Sequence, residues 1–518
     1  MRPPPRHAIT RSAVIAALLA TTLSPAARAE SPPADPSGQS EAPRPVANPE
    51  QVREIRRALR AQWPAAVERG DLPAAEQALA RLVRFAPEDE LAWLNLMRVQ
   101  LAQSKVKAAE ESLRSAVERG WSDLRRLAAD PRLQPLRERE LGRQLLANAQ
   151  AIGRASAELR AQRAAREMGA KAVITLDDQL HIAVVSALEP AATESARREM
   201  AAVADWFAKA VLPEGVPVRV AGDKPEELPD VWIVVRLPSR AQFDRWAAAE
   251  LGARAGSVGG LYDHDRKELV TRDTGGTLRH EFAHVLHWRH CDRLGQIHPM
   301  WVQEGLCALV EDVEPSADPS GLLRPVVSWR TNTVRNMAAI GRLPAWDRLL
   351  TQDADAVVAS SPLANYAVAR AIFLFLSEKG VLRAWYTAFT AGHAADPTGR
   401  QALQSALGRP VAEIERQWRA WAAALPAAPD AQSLLAAGLP FDVEPDAADG
   451  LRITSLPGPA AGGLRLGDVV SRIGNVEIRD LHDLARALAD RQPGDKVEVA
   501  YRRYKLTGTA EIELAVGR

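Results

Sequence analysis

"RHEFAHVLHWRHCDRLGQIHPMWVQEGLCALVED", residues Arg279 to Asp312, gathers five histidines, five acidic residues, two tryptophans and both cysteines of the chain. Written on a helix, His280 and His284 fall one turn apart on the same face, so both imidazoles can reach one ion. Glu281 is turned roughly 100° from them, near enough to hold a water without being a ligand itself. Leu278, Phe282, Val285 and Leu286 occupy the other side, which therefore needs a core to pack on. Gly275 and Gly276 precede the helix, and Thr277 is its expected cap. A second helix is expected from Pro299, whose fixed φ suits a first turn. Val302, Leu306 and Leu309 mark its buried side, and Glu304 projects from the other. Gly305, Cys307 and Ala308 are small enough to let it lie close against the first helix.

Two histidines need a third ligand, and two residues compete. His280, His284 and His290 match the metzincin spacing HExxHxxGxxH. That pattern places Gly where the chain leaves the helix with positive φ; here the residue is His287, which enters that region at a cost Gly avoids. No Met-turn follows. Glu304, twenty positions after His284, is the preferred ligand.

With that choice, "HEFAH" followed by "WVQEGL" resembles the gluzincin metallopeptidases, the thermolysin-like and aminopeptidase-like branch of the zincins (peptidase MA clan), over about Val173 to Leu425. The resemblance implies an α+β zincin-type domain in which His280, His284 and Glu304 hold Zn2+. It implies that Glu281 acts as general base on the water that attacks a peptide carbonyl, and that Tyr366 in "NYAVARA" donates to the oxyanion. Glu311 and His287 are expected behind the ligands as supports. The family often has an acid four residues after the ligand Glu; here that place is Ala308. The exopeptidase motif GxMEN is absent, which favours an endopeptidase acting on protein or peptide substrates. "GGLYDHDRKELV" occupies the place of the strand that pairs with substrate, where Gly259 and Gly260 permit close approach. His290 and His298 are expected at the surface. Cys291 and Cys307 either pair as a disulfide or are buried as small hydrophobes. Three alternatives stay open: a catalytically silent peptide-binding or scaffold protein that keeps the fold, a metzincin-like site on His290, and an aminopeptidase.

The chain has 518 residues and a net charge of +1, too long for one core and without a field that would argue for nucleic acid or anionic lipid as partner. Residues 1–29 read as a cleaved signal peptide, with Arg2, Arg6 and Arg11, the short apolar run "AVIAALLA" and the small-residue site "ARA". No later stretch reaches the roughly 18 apolar residues of a membrane span, so a periplasmic or secreted protein is expected. Residues 30–50, rich in Pro, Ser and Ala, read as a disordered linker. Over residues 51–145, Ala75 recurs as Ala109 and Leu79 as Leu113, each 34 positions on. This resembles tetratricopeptide repeats, although Met97 and Gln100 sit where that family prefers Gly and Tyr, and the resemblance implies a docking surface for a protein partner. Residues 146–171 read as a linking helix. Residues 172–428 alternate strands and helices.

The last module, residues 433–518, alternates apolar residues in "KVEVAY" and "AEIELAV", as half-buried strands do. "GLRITSLPGPAAGGLRLGDVVSRIGN" resembles a PDZ domain, a small β-rich fold. The resemblance implies that Gly438, Leu439, Pro440 and Phe441 form the loop that receives the carboxylate of a C-terminal peptide ligand, with Pro440 lacking one N–H donor. The fold class expected is thus multidomain: α-helical TPR-like repeats, an α+β zincin-type metalloprotease domain and a PDZ-like domain.

Overall fold

The computed structural model describes residues 49–219, 230–251, 259–315, 322–351, 362–428, 437–446, 450–456, 461–504 and 506–516. The expected signal peptide and nearly all of the linker lie outside the described residues. No helix among the described residues is long and apolar enough to cross a membrane.

The chain divides into two compact units, one up to Ala164 with residues 223–232, the other comprising residues 165–222 and 233–518. The first is helical: α1 (Pro49–Glu68), α2 (Leu72–Phe85), α3 (Glu90–Ala102) and α4 (Val106–Glu118), then short helices and the start of α5 (Ala149–Met168). Asp71 and Asp89 cap α2 and α3 by accepting from Ala74 N and Ala92 N. Gly70 and Ser104, 34 residues apart, both take left-handed backbone just before α2 and α4. The recurring Ala75, Leu79, Ala109 and Leu113 are all fully buried, so the repeat is one of backbone and core alike. Gln100 is buried too, and its carbonyl accepts from Ser112 Oγ at 2.8 Å.

The second unit is built on a five-stranded sheet of β1 (Val173–Asp177), β2 (Ile182–Ser186), β3 (Ile233–Leu237), β4 (Gly260–Asp263) and β5 (Glu268–Thr271), in the order β1-β2-β3-β5-β4. β2 runs parallel to β3 and β3 to β5, while β1 and β4 lie antiparallel at the two edges. β2 is buried along its whole length, as its β-branched run requires when both faces are covered. Helices α6 (Pro190–Ala210) and α7 (Arg240–Leu251) connect these strands, and α8 (Gly276–Leu294) and α9 (Met300–Leu309) follow them.

Beyond a two-stranded ribbon of β6 (Val313–Pro315) and β7 (Leu323–Pro325) come α10 (Trp329–Ala339), α11 (Pro362–Glu378), α12 (Leu382–Gly392), α13 (Arg400–Leu407) and α14 (Val411–Ala424). The apolar residues of α11 from Ala367 to Leu376, which flank the buried Arg370, share one core with α6, α8, α9 and the sheet. Gly305 was expected to bring α9 close to α8; it serves α11 instead. A Cβ there would meet the Phe373 ring at 2.5 Å and the Ala369 backbone at 3.0 Å.

The C-terminal module is a six-stranded sheet built on β9 (Asp442–Pro445), β10 (Leu451–Ser455), β11 (Val469–Ile473), β12 (Val476–Glu477), β13 (Lys496–Arg503) and β14 (Leu506–Glu513). Between β12 and β13 lies α15 (Leu481–Leu488), and β8 (Ala437–Gly438) pairs with β15 (Ala515–Val516). Leu484 and Leu488 of α15 enter its core, whereas Leu481 is exposed.

Candidate metal centre

α8 begins where the Asp273 carboxylate accepts from Gly275 N at 3.1 Å, Thr277 N at 3.2 Å and Thr277 Oγ at 2.6 Å. Gly275 is thus the N-cap residue, the Asp273 side chain supplies the capping bonds from two residues before it, and Thr277 lies inside the first turn, contrary to expectation. The helix ends at Gly295, left-handed with φ 64°. Because it runs unbroken past His287, the chain does not turn where a metzincin-like site would need it to. His290 stays on the helix, buried, with Nδ1 3.0 Å from the Tyr386 hydroxyl. His298 is buried as well. Neither is the surface residue expected, and His290 joins no group of converging donors among the described residues.

Leu278, Phe282, Val285 and Leu286 face the core, so His280 and His284 are presented on the remaining side. Val302, Leu306 and Leu309 bury the corresponding side of α9 and turn Glu304 toward them. The Nε2 atoms of His280 and His284 lie 3.1 Å apart. Glu304 Oε2 is 3.5 Å from the first and Glu304 Oε1 3.7 Å from the second. Tetrahedral zinc with bonds near 2.0–2.1 Å spaces its ligand atoms roughly 3.3 Å apart, so this triangle has the dimensions of one face of such a shell.

Burial opposes charge on His280, but the carboxylates of Glu304 and Glu311 outweigh it and push its pKa up to about 10. Burial likewise works against ionised Glu304, and the two imidazoles overcome it, holding its carboxyl well below the usual range. Glu311 Oε1 lies 2.8 Å from His280 Nδ1, and Arg330 grips the same carboxylate with two nitrogens, one at 2.8 Å. Arg330 outweighs burial and, with His280, holds Glu311 down at about 2. Arg279, itself buried, fixes the backbone behind it by donating to the carbonyls of Val310 and Glu311. With Arg330 balancing Glu311, the charges of Glu281 and Glu304 are left to be met by protons or by a divalent cation.

Glu281 sits beside this group, and burial raises its pKa. β4 passes so close that a Cβ on Gly260 would lie 2.8 Å from Glu281 Cγ and 2.9 Å from Thr277 Cγ2. Gly260 thereby permits a close approach of β4 to α8. Tyr366 is half-buried on α11, where burial, reinforced by the nearby Glu304, pushes its hydroxyl up to about 12. Sequence reasoning missed Arg330, Asp273 and the duty of Gly260. "RDTGGT" before the helix carried a capping signal for Asp273, but nothing local pointed to Arg330.

Cys291 and Cys307 are both buried and free, so of the two readings open from the sequence the disulfide is not formed and that of small buried side chains holds. The Cys291 sulfur instead faces His287 and His298. His287 does not stand behind the expected ligands: it lies about one helical turn beyond His284 on α8, with its Nε2 2.8 Å from His298 Nδ1 in the loop after the helix.

In the C-terminal module, Gly438 belongs to β8, Leu439 and Pro440 are half-buried, and Phe441 points into the core. β9, which follows this loop, is an edge strand. Its Pro445 carbonyl accepts from Arg240 of α7 at 2.7 Å. At the start of α15, Arg479 meets Glu199 of α6 at 2.6 Å, and Glu199 meets Arg279 of α8 at 3.0 Å. Asp480 lies 3.7 Å from Arg279. The module is therefore joined by buried charges to the residue that precedes His280.

Residues 452–514 match the PDZ domain family. The PDZ match begins after Gly438–Phe441 and so leaves the loop expected to receive a peptide carboxylate outside it. No curated protein matches the chain significantly. Among solved structures, the crystal structure of an aminopeptidase N family protein from Idiomarina loihiensis is similar at 12% identity and a TM-score of 0.27, covering 67% of each chain. A likeness of that size fixes neither fold nor chemistry.

Proposed function

We propose that the chain is an exported zinc-dependent peptidase that cleaves within polypeptides, with Glu281 as general base. The observation that supports it is the convergence of His280, His284 and Glu304, their donor atoms within 4.8 Å of one another, with Glu281 on the same helix as the two histidines but outside the set. Zinc held there would polarise a peptide carbonyl and acidify the attacking water. Glu281 takes the proton of that water and returns it to the leaving amine; its raised pKa suits a group that must do both. Arg330 and Glu311 hold His280 in one orientation. Tyr366, kept protonated by burial, donates to the developing oxyanion. The open edge of β4 offers backbone groups to an extended substrate. The PDZ domain supplies a site for a C-terminal peptide that selects or gates substrates, and the helical repeats dock a protein partner.

The test is zinc content together with casein digestion, with and without chelator. Chelation should abolish cleavage. Glu281→Gln should keep the zinc of this site and lose about 10²–10⁴-fold in rate, whereas Glu304→Ala should lose that zinc and cleavage together. A Glu281→Gln variant that digests casein at the wild-type rate would sink the proposal.

A further inference from the structure

His287, Cys291 and His298 form a second group of converging donors, all three side chains buried. The first two stand one turn apart on α8, and His298 returns to them after the chain reverses at Gly295. The Cys291 sulfur is 3.5 Å from His287 Nε2 and 3.4 Å from His298 Nδ1, and the two nitrogens are 2.8 Å apart. Tetrahedral zinc spaces nitrogen and sulfur ligands roughly 3.3–3.6 Å apart, so this triangle is nearly the size of a coordination face.

The tautomer of His298 follows from its surroundings. The Gln296 amide nitrogen donates to the Thr390 carbonyl at 2.8 Å, which leaves its side-chain oxygen to accept from His298 Nε2 at 3.0 Å. Nδ1 of His298 is then an unprotonated lone pair aimed at the cluster. Such a backing hydrogen bond from the far nitrogen is what orients a metal-binding imidazole. The rings of Tyr386, Phe389 and His393 enclose His298 and keep it from swinging away. A purely hydrogen-bonded cluster fits less well. One proton between the two nitrogens satisfies that pair and leaves the thiol facing two atoms already engaged.

We propose that His287, Cys291 and His298 bind a second, thiophilic cation, Zn2+ or Cu+, separate from the ion of the peptidase site. On binding, Cys291 releases its proton to solvent and the thiolate sulfur bonds the cation, while both imidazoles bind as neutral ligands. The cation ties the end of α8 to the loop that leads into α9, the helix carrying Glu304.

The test uses the full mature chain expressed in cobalt-supplemented medium, so that the ion enters during folding. Metal analysis should find about two equivalents per chain, and the absorption spectrum should carry a thiolate-to-cobalt charge-transfer band, which His and Glu ligands do not produce. Cys291→Ser should lose that band and one equivalent. Cys307→Ser and Glu304→Ala should keep the band, the latter even if the peptidase reading fails. Absence of the band in the unaltered protein, or its survival in Cys291→Ser, would overturn the proposal. Should Cys291→Ser fail to fold, the spectrum of the unaltered protein still decides. Copper-supplemented growth and metal analysis then separate Cu+ from Zn2+.

Discussion

Replacing Gly260 with alanine adds one methyl group between β4 and α8. Its Cβ would stand 2.8 Å from Glu281 Cγ, 2.9 Å from Thr277 Cγ2 and 3.1 Å from the Val270 carbonyl, where ordinary contacts begin at 3.4 Å. Thr277 cannot rotate freely, because Asp273 holds its hydroxyl at 2.6 Å. β4 is held in register by β5, with Gly260 opposite Thr271. The missing ~0.6 Å must therefore come from Glu281, from β4, or from both. Overpacking of this kind costs about 1–3 kcal/mol of stability. A general base displaced by about 1 Å costs on the order of 10²-fold in kcat/KM, so a shift of ~0.6 Å should cost on the order of 10-fold, or ~1.4 kcal/mol. Peptidase kinetics, zinc content and a thermal melt would be measured together on Gly260→Ala. Gly392→Ala serves as control, since an added Cβ there meets nothing within 4 Å. The expectation is a folded, zinc-replete protein with about 10-fold lower kcat/KM. Full activity in Gly260→Ala would refute the claim that β4 positions Glu281.

Three further outcomes are expected. Glu311→Gln removes the carboxylate between His280 and Arg330, so zinc affinity should fall about 10–100-fold in a chelator competition, with Arg330→Lys showing part of the loss. Glu199→Gln leaves Arg279 and Arg479 facing each other without their shared carboxylate, which should destabilise by about 3–5 kcal/mol and make the PDZ domain easier to release by limited proteolysis. His290 is depressed by burial from 6.5 to about 4, so the unfolded chain binds a proton between those values that the folded chain refuses. Its stabilisation is thus complete above pH 6.5 and is lost as the pH falls toward 4, worth ~3 kcal/mol over that range; His290→Gln should flatten the acid limb of a denaturation series.

What could be read from the sequence was whatever depends on near neighbours along the chain. The faces of α8 and α9 follow from the spacing of Leu278, Phe282 and Val285, and of Val302, Leu306 and Leu309. The β-branched run of β2 and the alternation of β13 followed in the same way. The same periodicity led to His280, His284 and Glu304, which the fold brings within 4.8 Å. The capping bonds went to Thr277 instead of Asp273 because the choice rests on one loop's exact path.

Tertiary structure decided which groups meet across the chain. Arg330 reaches Glu311 because β6 and β7 carry the chain back to the site. Gly305 makes room for Phe373 rather than α8, and Gly260 makes room for Glu281. The reversal at Gly295 buries His298 against His287 and Cys291, which no helical spacing could foresee. Residue spacing sets the direction of a side chain on its own element. Its partner, its solvation and hence its protonation depend on what other elements pack over it, and only the folded core determines that.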